Sequence, residues 1–126
     1  EMLRSLVGSE MCIRDSFYTL GNNIRALPIT RELFANDSHC MVNLKSHKLG
    51  IYEKGTGRGV VCDISEFPYT LIWSMPGGEP RFVCIEPWHS LPSPEGGSIR
   101  WEEKPAAAIL DPGESWSCNL STSFVR

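Results

Sequence analysis

The sequence contains no long apolar run, and nothing in its 126 residues approaches the length that spans a bilayer. It has no block of one charge either: 12 basic and 15 acidic residues are spread along the chain and give a formal charge of -3. That balance lacks the basic stripe of a nucleic-acid binder and the polybasic patch of a membrane-surface protein, so no nucleic-acid and no membrane partner is expected. No CxxC pair occurs. The five cysteines, Cys12, Cys40, Cys62, Cys84 and Cys118, are widely spaced and odd in number, which suits neither a zinc site nor a disulfide framework. Four of them, all but Cys12, fall in expected strands, where a thiol acts as a small buried hydrophobe, and a reducing cytosol is the expected compartment. Heptads, tandem repeats, low-complexity tracts and long helical periods are absent too. The three histidines, His39, His47 and His89, show no metal-ligand spacing, so no metal is expected.

What remains is a chain of short apolar or alternating runs punctuated by 11 glycines and nine prolines. Its length suits one domain with a real core. Phe17–Leu20 reads as a short strand. Leu27–Phe34 combines an extended piece with one helical turn capped by Thr30. Ser38–Leu44 reads as a strand with Cys40, Val42 and Leu44 on one face, and Leu49–Glu53 as its return. Gly55-Thr56-Gly57-Arg58-Gly59 looks like a phosphate-cradling loop, but a strand, Val60–Ile64, follows it instead of a lysine-serine pair and a helix. It is expected to be a hairpin turn. Phe67–Ser74 and Phe82–Trp88 are aromatic, β-branched runs on either side of the Met75–Pro80 turn, so they should form an antiparallel hairpin. Pro87 should end regular pairing and leave Glu86 at a strand's end beside Trp88 and His89.

Leu91–Gly97 is expected to be an irregular loop, Ser98–Glu103 a strand or edge piece, Pro105–Leu110 extended, and Asp111–Glu114 a turn. From Ser115 to Phe124 apolar residues alternate with serine and asparagine, the period of a half-buried antiparallel strand. The sum is an all-β, sandwich-like architecture.

Residues 1–16, EMLRSLVGSEMCIRDS, behave differently. Acidic Glu1, Glu10 and Asp15 interrupt the apolar residues, so the segment does not have the architecture expected of a signal peptide. Val7–Ser16 resembles a peptide that arises when adapter sequence is translated at the ends of assembled short reads. The segment is therefore expected to be non-native or disordered, with residues 17–126 as the domain. A genuine short strand or helix at a sheet edge is the alternative.

No serine sits in a nucleophile elbow. The polar chemistry on offer is a carboxylate pair, Asp37 and Glu86, with indole faces at Trp73, Trp88 and Trp101 that suit the apolar side of a sugar ring. A carboxylate removes a hydroxyl proton only within hydrogen-bond reach, and opening a sugar ring also needs an acid for the ring oxygen.

The order Glu32-Leu33-Phe34-Ala35-Asn36-Asp37, then Phe67-Pro68-Tyr69-Thr70-Leu71-Ile72-Trp73-Ser74, then Phe82-Val83-Cys84-Ile85-Glu86-Pro87-Trp88 resembles the aldose 1-epimerase (galactose mutarotase-like) family, nearest its LacX-like branch. Lys104 and the Leu110–Glu114 turn with its closing strand fit the end of that pattern, so the likeness covers residues 17–126. It implies the C-terminal part of a large, twisted antiparallel β-sandwich that interconverts the α and β anomers of hexoses. By resemblance, Glu86 matches the general base acting on the C1 hydroxyl, and Asp37 matches the acidic residue that holds sugar hydroxyls. Trp73 and Trp88 accompany them as substrate-binding positions. The partner implied is a small-molecule sugar, with no metal or organic cofactor.

The family's two histidines, one of them in a His-Pro segment, should precede Phe17, and this chain has no His-Pro dipeptide. His39 and His89 match neither position. The resemblance therefore implies a truncated epimerase whose isolated piece lacks its proton donor. A non-catalytic carbohydrate-binding sandwich, a purely structural sandwich, and an epimerase of a hexose 6-phosphate stand as alternatives. For a phosphate, the candidate basic residues are Lys45, Arg58 and Arg81.

Overall fold

Alternation with a period of two organises the chain into two antiparallel sheets in the computed structural model, which describes residues 6–10, 17–21, 25–92, 96–104 and 106–126. The first sheet has the order β2-β1-β3-β6-β7, where β1 is Leu6–Glu10, β2 Phe17–Gly21, β3 His39–Val42, β6 Tyr69–Trp73 and β7 Cys84–Trp88. The second has the order β4-β5-β8, from Lys48–Tyr52, Gly59–Asp63 and Ser121–Val125. Every strand pairing is antiparallel. The expected fold class is therefore the observed one. Residues 1–5 and 11–16 of the N-terminal segment, with Cys12, lie outside the described residues, whereas Leu6–Glu10 pairs with both β2 and β3. No helix among the described residues is long and apolar enough to cross a membrane.

β3 is covered on both sides, as its four buried residues show. Met41, with Ile72 of β6 and the partly buried Ile85 of β7, points inward onto Leu49 of β4 and Cys62 of β5, and Phe34 and Ile64 complete this core. Cys40, Val42 and Leu71 point the other way and pack with Tyr69, Trp88 and Leu91. We call these the inner and outer faces of the first sheet. Phe34 comes from a 3₁₀ turn, Glu32–Phe34, which begins as expected with the Thr30 hydroxyl accepting a hydrogen bond from the Leu33 amide at 3.3 Å. The β4–β5 hairpin closes through Glu53 and Arg58, whose main chains bond at 2.7 Å. Gly59 permits it, because a Cβ there would stand 2.3 Å from the Ile51 carbonyl oxygen.

Five expectations need correction. Pairing continues through Pro87, which stands opposite Thr70, so Glu86 is the third of five residues in β7. β7 is the outermost strand of its sheet, and proline is tolerated on an edge because the outer side has no ladder to lose. Leu44 joins the inner core rather than the face of Cys40 and Val42, because β3 ends at Val42 and Asn43 turns the chain with φ 54°. Ser98–Glu103 forms no strand; Trp101–Glu103 is a 3₁₀ turn.

The closing strand is only Ser121–Val125, so Cys118 lies outside it. Glu66 draws Asn119 aside before the strand begins, accepting from its amide nitrogen at 2.8 Å and its side-chain Nδ2 at 3.1 Å. Nor is β8 half-buried: Phe124, opposite Val60, is 80% exposed, because no strand of the first sheet lies over that edge.

Two substitutions should separate the packed core from this open edge. Met41→Ala is expected to lower unfolding free energy by about 2–5 kcal/mol, whereas Phe124→Ala should change it by about 0.5 kcal/mol or less, measured by denaturant titration. The Thr70 hydroxyl is fully buried without a hydrogen-bond partner among the described residues. Thr70→Val should therefore stabilise the chain, by roughly 1 kcal/mol in the same titration.

Candidate functional site

The outer face of the β3-β6-β7 region collects the residues singled out from the sequence. Along β6, Tyr69, Leu71 and Trp73 share this face, and along β7 so do Cys84, Glu86 and Trp88, because strand side chains alternate. The register sets Tyr69 opposite Trp88, Leu71 opposite Glu86 and Trp73 opposite Cys84. Glu86 thus stands beside an apolar row of Leu71 and Cys40, diagonal to Trp73, a relation that separates Cα atoms by roughly 7–8 Å. Glu86, Trp73 and Trp88 are each half-buried.

Asp37 joins them from outside the sheet. It follows the 3₁₀ turn and its φ of 82° reverses the chain just before β3. From there its Oδ1 accepts a hydrogen bond from the Trp73 indole Nε1 at 2.8 Å. That bond fixes the plane of the indole, and the ring's other neighbour is Phe82, 5.6 Å away between centroids. Three of the four named positions therefore share one sheet face, and the fourth is hydrogen-bonded to one of them. Tyr69 and Phe82, which flank this row, were not singled out from the sequence. Their signal was present, since both have the two-residue parity of Trp73 and Trp88 on strands already recognised.

The histidines are elsewhere. His39 pairs with Ile72 on the inner side, where its ring packs on Phe34 and its Nε2 bonds to the Leu33 carbonyl. His47 is exposed before β4. His89 lies just past β7 and meets Trp116 edge-on at 4.4 Å and Phe67 at 6.0 Å. Trp101 sits in its own turn with the Lys104 ammonium 4.1 Å above the ring, so that face of the indole is covered. No group of three or more His, Cys, Asp or Glu side chains suited to a metal occurs among the described residues.

Comparison with known proteins finds relatives for part of the chain. Protein LacX of Lactococcus lactis subsp. lactis, in its plasmid and chromosomal forms, is 33% identical over 91 residues, which is 71% of this chain. The chain is a distant relative of LacX, of the aldose 1-epimerase (galactose mutarotase-like) family. It spans 30% of the length of these curated relatives. No family model matches the chain, and no solved structure does. The resemblance read from the strand-end motifs is thus supported by an alignment longer than those motifs together.

The Glu66 clasp predicts a pH response at the end of the chain. Its hydrogen bonds from Asn119, side chain first and main chain second, hold the Glu66 carboxyl below the ordinary glutamate value. A carboxyl lowered in the folded state stabilises it above its unfolded pKa, and that contribution is lost as pH falls through the lowered folded value. Hydrogen exchange at the Asn119 amide should therefore accelerate as pH drops below about 4.5, after correction for the intrinsic rate. Glu66→Gln should show no such pH-dependent change.

Proposed function

We propose that this chain carries the base side of an aldose 1-epimerase site, with Glu86 as general base and Asp37, Trp73 and Trp88 holding the sugar. The observation behind this reading is the shared outer face, on which Glu86 lies diagonal to an indole that Asp37 fixes in place. An indole face accepts the apolar side of a pyranose, and a carboxylate at its margin can reach the sugar hydroxyls. In the proposed reaction Glu86 takes the proton of the C1 hydroxyl. The C1–ring oxygen bond breaks as an acid gives the ring oxygen a proton. Rotation about C1–C2 and reclosure with the proton movements reversed then yield the other anomer. No metal or organic cofactor takes part in these steps.

We place the acid on a residue other than the three histidines as they stand. His39 points to the inner face, and His47 and His89 lie beyond the strands that carry the site. With the chain spanning 30% of LacX, we assign the acid to a region of a longer protein. The same observation favours a second reading, a sugar-binding sandwich that performs no anomer exchange. A phosphorylated hexose is less well supported. Arg58 and Arg81 line a cavity that also contains Ile85, whose side chain is on the face opposite Glu86, and Lys45 is exposed between β3 and β4.

Polarimetry on fresh α-glucose and α-galactose tests the reading. It compares this chain with a form extended by its own genomic sequence to the length of the LacX relatives. Exchange is expected in the extended form only, falling by about 10²–10⁴-fold in Glu86→Gln. Full exchange by Glu86→Gln would exclude Glu86 as the base. Sugar-induced shifts in Trp73 and Trp88 resonances without exchange in either form would establish the binding reading instead.

A further inference from the structure

Between the sheets, on the inner side, the core stops short of the β7 edge and leaves an open cavity of about 950 Å³. Its walls are largely apolar: Ile51 and Val60 come from the second sheet, Val83 and Ile85 from the segment entering β7 and from β7 itself, and Tyr52 and Phe82 add aromatic side chains. This is within the upper range of small-molecule pockets. Arg58, from the β4–β5 hairpin, and Arg81, from the β6–β7 connection, both line it. Neither guanidinium has an ion-pair partner among the described residues. The one carboxylate in the lining, Glu53, accepts a hydrogen bond at 2.7 Å from Thr56 within its own hairpin. The lining therefore carries a net positive charge of one at neutral pH, from exposed arginines beside apolar walls.

A ligand that satisfies both features must have an apolar body and an anionic end. The guanidinium fork suits a carboxylate, which takes two parallel hydrogen bonds. A bare phosphate or a sugar would leave the apolar walls without a partner. We propose that this cavity binds a small organic acid with an aliphatic or aryl tail, the tail between Ile51, Val60, Val83 and Ile85 and the carboxylate at Arg58 and Arg81. Ile85 and the cavity lie on the other side of the first sheet from Glu86, with Phe82 lining the cavity and also packing on Trp73.

Isothermal titration of this chain with sodium octanoate and, separately, with 1-octanol distinguishes the charged contact from mere apolar exposure. Octanoate is expected to bind, with octanol about tenfold weaker. Arg58→Gln and Arg81→Gln should each weaken octanoate by about tenfold and leave octanol unchanged. Both side chains are exposed, so neither change should disturb folding, and identical thermal transitions would verify that. Methyl resonances of Ile51, Val60, Val83 and Ile85 should move on octanoate addition. The proposal is overturned by absence of octanoate binding, by equal affinity for octanol, by indifference to both arginine changes, or by shifts confined to other methyl groups.

Discussion

The antiparallel register of β3 against β6 is the constraint on which the other features depend. It sets His39 opposite Ile72 and Cys40 opposite Leu71, and so decides which residues face the second sheet and which face away. A slip of one residue would exchange the two sets. If β6 slipped, Ile72 would leave the core, and Leu71 and Trp73 would enter the space between the sheets. Burial on both faces makes such a slip costly, because Met41, Cys40 and Leu71 are each at most 1% exposed. A firm register in turn gives the outer face a fixed geometry. Glu86 cannot drift relative to Trp73 unless β7 separates from β6.

Much of this was legible in the chain because strand period and turn chemistry are local. The Met75–Pro80 turn between two aromatic runs was enough to infer the β6–β7 hairpin, and the glycines after Lys54 enough to infer β4–β5. The faces of Cys40 and Val42 followed from alternation alone. What alternation cannot report is where a strand stops. The turn at Asn43 reassigns Leu44 to the other face, and the pull of Glu66 on Asn119 shortens the closing strand, through a contact between residues 53 positions apart. Nor does alternation say whether a second layer lies over a given face, and this is why Phe124 has the right period and almost no cover.

The candidate site divides in the same way. Glu86, Trp73 and Trp88 could be grouped because they lie on adjacent strands of one hairpin, where parity is readable. Asp37 could be paired with Glu86 as a second carboxylate, but its contact with Trp73 could not be read, since that approach crosses 36 positions and depends on a left-handed turn. A non-glycine residue at such a φ costs energy, and an aspartate tolerates it better than most side chains. The bond to the indole helps to offset that cost. Backbone strain and side-chain orientation are thus concentrated at one residue beside the outer face.

Pro87 has a consequence beyond tolerating its place at the edge. The free side of an outermost strand is a template on which another chain can build a ladder, and a proline within it withholds one amide from any such partner. β7 bears its proline between Glu86 and Trp88, so a foreign strand would meet the gap beside the candidate base. β8, at the margin of the other sheet, has no proline in its Ser121–Val125 run. These two edge strands, of the four that the sheets have, are therefore unequal: intermolecular strand addition is disfavoured where the carboxylate lies and meets no proline along Ser121–Val125.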